Sequence, residues 1–334
     1  MKVLTAQAPP SPARVHPPAS EPVRVGAVQT RWHPDPAEHR AALREGIFAA
    51  ATAGAQVVFL QELTLTRYLA DTRPTGPADA TAEQLLGGPT YAFAAEAAAA
   101  AGVPVHASLF ERAPGPDGRG YNTAILVAPD GALLAATRKL HIPVTAGYHE
   151  DAYFRPGPAD GDPYPVVALN TPVGRVALGL PTCWDQWFPE VARAYALAGA
   201  DLVAYPTAIG SEPDHPGFDT QPLWQHTIVA HGIANGTFMV AVNRWGDEGL
   251  NTFYGSSFIS DPYGRVLVQA PRDADAVLVA ELDLAQRRDW LDLFPLIATR
   301  RPDTYARLAG APGTQGSPGA HGQAAGVGGA RGGG

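Results

Sequence analysis

Cys183 is the single cysteine of the 334-residue sequence, and it sits in the run Gly179-Leu180-Pro181-Thr182-Cys183-Trp184-Asp185-Gln186-Trp187-Phe188-Pro189-Glu190. Residues Val173 to Leu180 read as a buried strand. Beyond the cysteine, Pro189 occupies a place that a first helical turn tolerates, and Glu190 complements the positive helix end. The spacing therefore puts the thiol on a sharp strand-to-helix turn at the end of a sheet. There, helix dipoles and cations can lower a thiol pKa and make a nucleophile. The competing reading is a buried structural cysteine, since a free thiol is also a small core hydrophobe. A second candidate is Glu62, directly after the apolar run Val57-Val58-Phe59-Leu60 and Gln61. The C-terminal end of a buried strand is where open α/β sheets place ligand-binding groups. Partial desolvation there suits a carboxylate to general-base work, although a solvated strand-end residue has the same local signature.

The flanking residues carry a specific likeness. Cys183-Trp184-Asp185-Gln186-Trp187-Phe188-Pro189-Glu190 resembles the nucleophile motif of the nitrilase superfamily of carbon-nitrogen hydrolases, in the wording of its carbamoyl-amine hydrolase branch. That superfamily uses a Cys-Glu-Lys triad. By resemblance Glu62 is the triad base, and Arg138-Lys139-Leu140-His141-Ile142-Pro143 is similar to the lysine motif, with Lys139 as its lysine. A fixed ammonium beside the attacked carbonyl would favour the thiolate and stabilise the oxyanion. His141 in that motif packs or orders the loop. Glu150, in Gly147-Tyr148-His149-Glu150-Asp151-Ala152-Tyr153-Phe154, matches a second glutamate of the family. Its implied role is to position the lysine or the substrate nitrogen and to assist water. Trp184, Tyr68, Glu212 and Asn243 are carried over as substrate or oxyanion contacts. Thr64 and Arg67 depart from the family's common pattern, which more often has an aromatic and a glycine there, and this bears on pocket shape.

What the resemblance implies is a four-layer α-β-β-α sandwich in one domain and a cofactor-free amidohydrolase. The enzyme would cleave the carbamoyl C–N bond of an N-carbamoyl amine through a cysteine thioester. N-carbamoylputrescine, a polyamine precursor, is the favoured substrate. The alternatives are N-carbamoyl-β-alanine, another amide or nitrile, and a non-catalytic binding protein on the same scaffold. A homo-oligomer, dimer or larger, is implied in the same way.

The elements that must position these groups are legible without the resemblance, to the level of a two-layered α/β unit. Val23 to Gln29 reads as a first strand, and a helix follows from the Asp35-Pro36 start signal. An alanine-rich helix is expected near Ala82 to Ala101. Val103 to Phe110 and Tyr121 to Ala128 pattern as a hairpin, and Leu133 to Thr137 as the strand leading to Lys139. Past the cysteine helix, Leu202 to Tyr205, Phe238 to Arg244 and Val277 to Leu282 read as strands, Leu223 to Asn235 as a helix, and Asp289 to Leu293 as the last helix.

Composition bounds the rest. Residues 1–20 are rich in Pro and Ala and residues 309–334 are dominated by Gly, so both are expected to be disordered extensions flanking a hydrolase domain at 21–308. A net charge of −8 offers no basic footprint for nucleic acid, and no run approaches the ~18 apolar residues of a membrane span. A chain with one cysteine forms no internal disulfide, and no secretory leader is evident, which fits a cytoplasmic protein. No His or Cys pair has metal-ligand spacing, so neither metal nor cofactor is expected.

Overall fold

The computed structural model describes residues 1–310 of the chain. In order, β1 (Lys2–Ala6) and β2 (Val23–Gln29) precede α1 (Pro36–Thr52), and β3 (Val58–Phe59) precedes α2 (Pro89–Ala101). β4 (Val105–Glu111), β5 (Tyr121–Val127) and β6 (Leu133–Arg138) form a meander, followed by the small hairpin β7 (Val144–Thr145) and β8 (Tyr148–His149). β9 (Val166–Thr171) and β10 (Gly174–Gly179) lead into α3 (Pro189–Leu197), and β11 (Leu202–Pro206) into α4 (Gln221–Asn235). The remaining elements are β12 (Phe238–Val242), β13 (Trp245–Asp247), β14 (Thr252–Tyr254), β15 (Phe258–Ser260), β16 (Val266–Gln269), β17 (Ala276–Leu282) and α5 (Ala285–Leu293).

One sheet has the order β1-β17-β2-β3-β4-β5-β6 and the other β16-β15-β12-β11-β10-β9. Their inner faces meet in a core that includes Val25, Phe59, Leu178, Leu202, Val240 and Leu278. α1 and α2 cover the first sheet through Leu43, Ile47 and Phe93. α3 and α4 cover the second through Val191, Tyr195, Trp224 and Ile228. The result is the expected α-β-β-α sandwich, because strands buried on both faces need a second sheet on one side and helices on the other. These layers belong to the unit Met1–Pro295; the segment from Leu296 carries two short 3₁₀ turns, Pro302–Thr304 and Ala306–Ala309.

Three local expectations are corrected. Residues 1–20 are not an unstructured extension. Lys-Val-Leu-Thr-Ala of β1 pairs in parallel with β17 from Lys2↔Ala276 to Ala6↔Ala280, and Arg14 then anchors the proline-rich stretch to Asp283 and Asp289. Average composition hid a five-residue β-forming run that the sheet edge could recruit through backbone hydrogen bonds. α2 starts at Pro89 rather than near Ala82, since Gly87-Gly88 interrupts the alanine pattern and proline opens the helix. The last helix begins earlier than expected, at Ala285. The Gly-rich tail lies almost wholly outside the described residues, at 311–334.

The core between the sheets contains one conspicuous polar group. His106 on β4 is fully buried, 5.4 Å from the Phe59 ring, and neither ring nitrogen has a partner among the described residues. Burial pushes its imidazole down to about 3. In the unfolded chain the ring protonates below its ordinary value near 6.5, whereas the folded chain must keep it neutral until far lower pH. This contribution to stability is thus present above about pH 6.5 and is lost as pH falls, at about 1.4 kcal/mol per pH unit. His106→Leu is expected to remove that slope between pH 6 and 4 in urea unfolding series. An unchanged pH dependence would show that the ring is hydrated in the folded state.

Candidate active site

Lys139 leaves the end of β6 with its backbone N–H on the Asn122 carbonyl at 2.8 Å and its own carbonyl accepting from Gly157 at 2.7 Å. Its side chain is buried, and the ammonium donates to Glu62 Oε1 at 2.9 Å and to Glu150 Oε2 at 2.6 Å. Glu62, just past β3, is fully buried as well. Asn122 donates to the same Oε1 at 2.7 Å, while Oε2 has no partner among the described residues. Both oxygens of Glu150 are occupied, because the Tyr68 hydroxyl donates to Oε1 at 2.9 Å. The unused acceptor of the cluster therefore belongs to Glu62.

Cys183 opens a short 3₁₀ turn, Cys183–Trp187, between β10 and α3. Its backbone is in the left-handed region, φ 40°, which a non-glycine residue adopts only where the surroundings enforce it. β10 and α3 are drawn together at Gly179, where a Cβ would stand 2.6 Å from the Tyr195 ring. The thiol is buried, at 5 % exposure, and the Ala208 backbone N–H hydrogen-bonds to it.

The charges around it form one system. Burial works against the ammonium of Lys139, but Glu150 and then Glu62 hold it above its ordinary range. Burial pushes Glu150 up to about 7, with Lys139 pulling down and Glu62 pushing up. One cation facing two buried carboxylates leaves an excess negative charge in a low dielectric, and a raised Glu150 is the relief. The thiol is also pushed well above its ordinary value, by burial first and by Glu62 next, with Lys139 opposing. This corrects the expectation of a thiol lowered by dipole and cation: the resting group is SH, and its proton needs an acceptor.

Cys183 and Glu150 line a cavity of about 100 Å³ with Tyr148, Trp184, Trp187, Ile209 and Glu212. Of the substrate-side expectations, Trp184 and Glu212 stand in its wall. Tyr68 and Asn243 do not: Tyr68 spends its hydroxyl on Glu150, and Asn243 clamps the 207–209 segment by accepting from Ile209 N–H at 3.0 Å and donating to the Ile209 carbonyl at 2.9 Å. Arg67 turns away from the cavity onto Asp71 and the Glu248 carbonyl. Arg244, fully buried, donates to the main-chain carbonyls of Glu62 at 2.6 Å and Leu63 at 3.1 Å and pairs with Glu248 at 2.8 Å, bracing the segment that carries the glutamate.

A family model for carbon-nitrogen hydrolases matches residues 24–292. The chain belongs to this family. Two relatives are equally similar to this carbon-nitrogen hydrolase. A citrullinase of Francisella tularensis is 35% identical over 86% of this chain and 98% of that protein. An N-carbamoylputrescine amidase of Solanum tuberosum is 35% identical over 86% of this chain and 94% of that protein. The crystal structure of a carbon-nitrogen hydrolase from Helicobacter pylori superimposes with a TM-score of 0.76, at 29% identity, covering 86% of this chain and 98% of that one. The chain is accordingly a hydrolase of amide-type C–N bonds. Among its described residues no helix is long and apolar enough to cross a membrane.

Sequence reasoning passed over several residues of this hydrolase's pocket. Tyr148 both lines the cavity and holds the 210–211 segment, accepting from Gly210 N–H and donating to the Ser211 carbonyl, each at 3.1 Å. It stands two residues before Glu150, so the motif that flagged the acid contained it. Trp187 lies likewise inside the cysteine motif. Thr145, Thr220 and Leu223 carry no local signal, since only folding brings them to the cavity.

Proposed function

We propose that the protein hydrolyses the carbamoyl group of an N-carbamoyl amine with a cationic tail, N-carbamoylputrescine in the first place, with Cys183 as nucleophile, Glu62 as proton carrier and Lys139 as oxyanion donor. Glu62 Oε2, the unpartnered acceptor, takes the proton from the thiol. The sulfur attacks the ureido carbon, and the oxyanion is met by Lys139 Nζ–H and the Trp184 backbone N–H. Ammonia leaves with the proton that Glu62 returns, so the enzyme holds an S-carbamoyl thioester still bearing the amine. Glu62 then takes a proton from water, whose hydroxide displaces the sulfur as thiolate, and Glu62 hands that proton back to the sulfur to restore the resting SH. The released carbamate breaks down to carbon dioxide and the free amine. Glu150, with both oxygens engaged, holds the lysine in place rather than moving protons.

The observation that carries the substrate reading is the charge of the cavity wall. Glu212 is half-buried, and burial raises its carboxyl above the ordinary range, with His215 opposing. Among the described residues no arginine or lysine is in the lining; the Lys139 ammonium next to Glu150 is paired with Glu62 and Glu150, and Arg67, Arg155 and Arg244 are engaged with Asp71, Asp117 and Glu248. An ammonium would supply a counter-charge to Glu212, whereas a substrate carboxylate would be desolvated beside it. Citrulline is the second reading, favoured by the equal similarity of the citrullinase; its tail carries an ammonium for Glu212 but also a carboxylate. In ammonia-release assays N-carbamoylputrescine is expected to exceed both citrulline and N-carbamoyl-β-alanine in kcat/KM. Glu212→Gln should cost N-carbamoylputrescine about 10- to 100-fold, mainly in KM. Preference for N-carbamoyl-β-alanine would overturn the cationic-tail reading, and ammonia from none of the three would overturn the ureido reading altogether.

A further inference from the structure

Asp185 is buried, at 1 % exposure, and its carboxylate gathers four N–H groups from two parts of the chain. Oδ2 accepts from Thr182 at 3.2 Å and Leu140 at 3.4 Å; Oδ1 accepts from the backbone of His141 at 2.9 Å and from its Nδ1 at 2.8 Å. Thr182 immediately precedes Cys183, and Leu140 immediately follows Lys139. Resting on the amidase reading above, we propose that Asp185 is a positioning residue that sets where the Cys183 sulfur stands relative to the Lys139 ammonium, by tying both backbones to one carboxylate.

A bond to Thr182 alone would be local capping of the 3₁₀ turn. The three bonds from residues 140 and 141 are not local, because those residues lie 44 and 45 positions away in sequence. They add nothing to the turn itself, yet they join the loop after β6, which belongs to one sheet, to the loop after β10, which belongs to the other. The His141 ring is held for this purpose by Phe188, stacked at 3.7 Å between centroids and 13° between planes. Two loops from different layers, both ending at reacting groups, need such a tie, since a displacement of about 1 Å can cost about 100-fold in rate.

The single thiol of the chain lets this be tested without a substrate. The rate of Cys183 alkylation by iodoacetamide is followed against pH in the wild type, Asp185→Asn and His141→Phe. The sulfur is faced by Glu62, Lys139 and Glu150, and is close enough to Tyr68, Tyr148 and Tyr254 to act on them. Removing a negative charge at 185 would by itself move the alkylation profile to lower pH. Loss of the lysine's placement moves it to higher pH, the opposite sign. The expected result for Asp185→Asn is an upward shift of roughly one pH unit. On N-carbamoylputrescine its kcat is expected to fall about 100-fold, with KM within about threefold of the wild type. His141→Phe keeps the stack on Phe188, deletes one of the four bonds and changes no carboxylate, so a smaller upward shift is expected; it decides the matter alone if Asp185→Asn does not fold. Profiles unmoved or moved downward, with only the melting temperature reduced, would overturn the proposal and leave Asp185 a structural residue. Absence of turnover in the wild type would instead sink the amidase reading, while the alkylation profiles still judge Asp185.

Discussion

Cys183→Ser is expected to lower kcat by about 10⁴-fold or more, as loss of a nucleophile does, while circular dichroism and melting temperature stay close to those of the wild type. The replacement is nearly isosteric, and the positive φ of 40° at this position is imposed by the surrounding turn rather than by the sulfur. The effect on turnover comes from the chemistry of the site. The thiol rests protonated, held up by burial and by Glu62. Catalysis therefore depends on one proton transfer that the polarisable sulfur tolerates, and a serine hydroxyl, far less acidic, enters the same transfer several orders of magnitude behind. Retention of more than about 1 % of wild-type kcat would mean that another group attacks the substrate. Mass spectrometry after iodoacetamide treatment supplies the control, since the variant should gain no adduct.

Lys139→Met carries the second large effect, on turnover and on stability together. Its ammonium is the only cation paired with the carboxylates of Glu62 and Glu150 among the described residues, and methionine fills a similar volume without charge. Turnover is expected to fall about 10³-fold through loss of the oxyanion donor. Stability at neutral pH is expected to drop by about 3 kcal/mol or more, because removing one partner leaves buried carboxylates uncompensated. The pH dependence gives the sign. Glu150 is already raised to about 7 with Lys139 pulling it down, so without the lysine it moves further up. A carboxyl raised on folding stabilises below its unfolded pKa and loses that contribution as pH rises through the folded value. The gap between wild type and Lys139→Met should therefore narrow toward pH 5 and widen above pH 7. A gap independent of pH would show that the lysine is not the counter-ion of Glu150.

Much of the site was legible before folding, for a definite reason. Cys183, Glu62, Lys139 and Glu150 each sit in a short contiguous motif, and the strands before the first three are announced locally by Val173 to Leu180, Val57 to Leu60 and Leu133 to Thr137. The hairpin of β4 and β5 and the helix from Asp35, whose carboxylate accepts from the N–H groups of Ala37 at 2.7 Å and Glu38 at 3.0 Å, were readable in the same way. Where local signals mixed, boundaries moved. Gly87-Gly88 delayed α2, and the proline-rich start concealed β1, whose pairing partner β17 lies at the other end of the chain.

Periodicity and turn residues in the sequence determined the layered α/β class and the strand ends, and the likeness of short motifs to those of the carbon-nitrogen hydrolases singled out Cys183, Glu62, Lys139 and Glu150 as candidates, because those properties reside in neighbouring residues. Tertiary structure alone decided the chemistry of the site. It turned Arg67 away from the cavity to Asp71, set Tyr68 on Glu150, left one oxygen of Glu62 without a partner among the described residues, and joined Leu140, His141 and Thr182 on Asp185. Partners separated by tens to hundreds of residues leave no local trace. The pKa of a buried thiol depends on which charges stand around it and how little water reaches it, and both are created only when the two sheets close on each other.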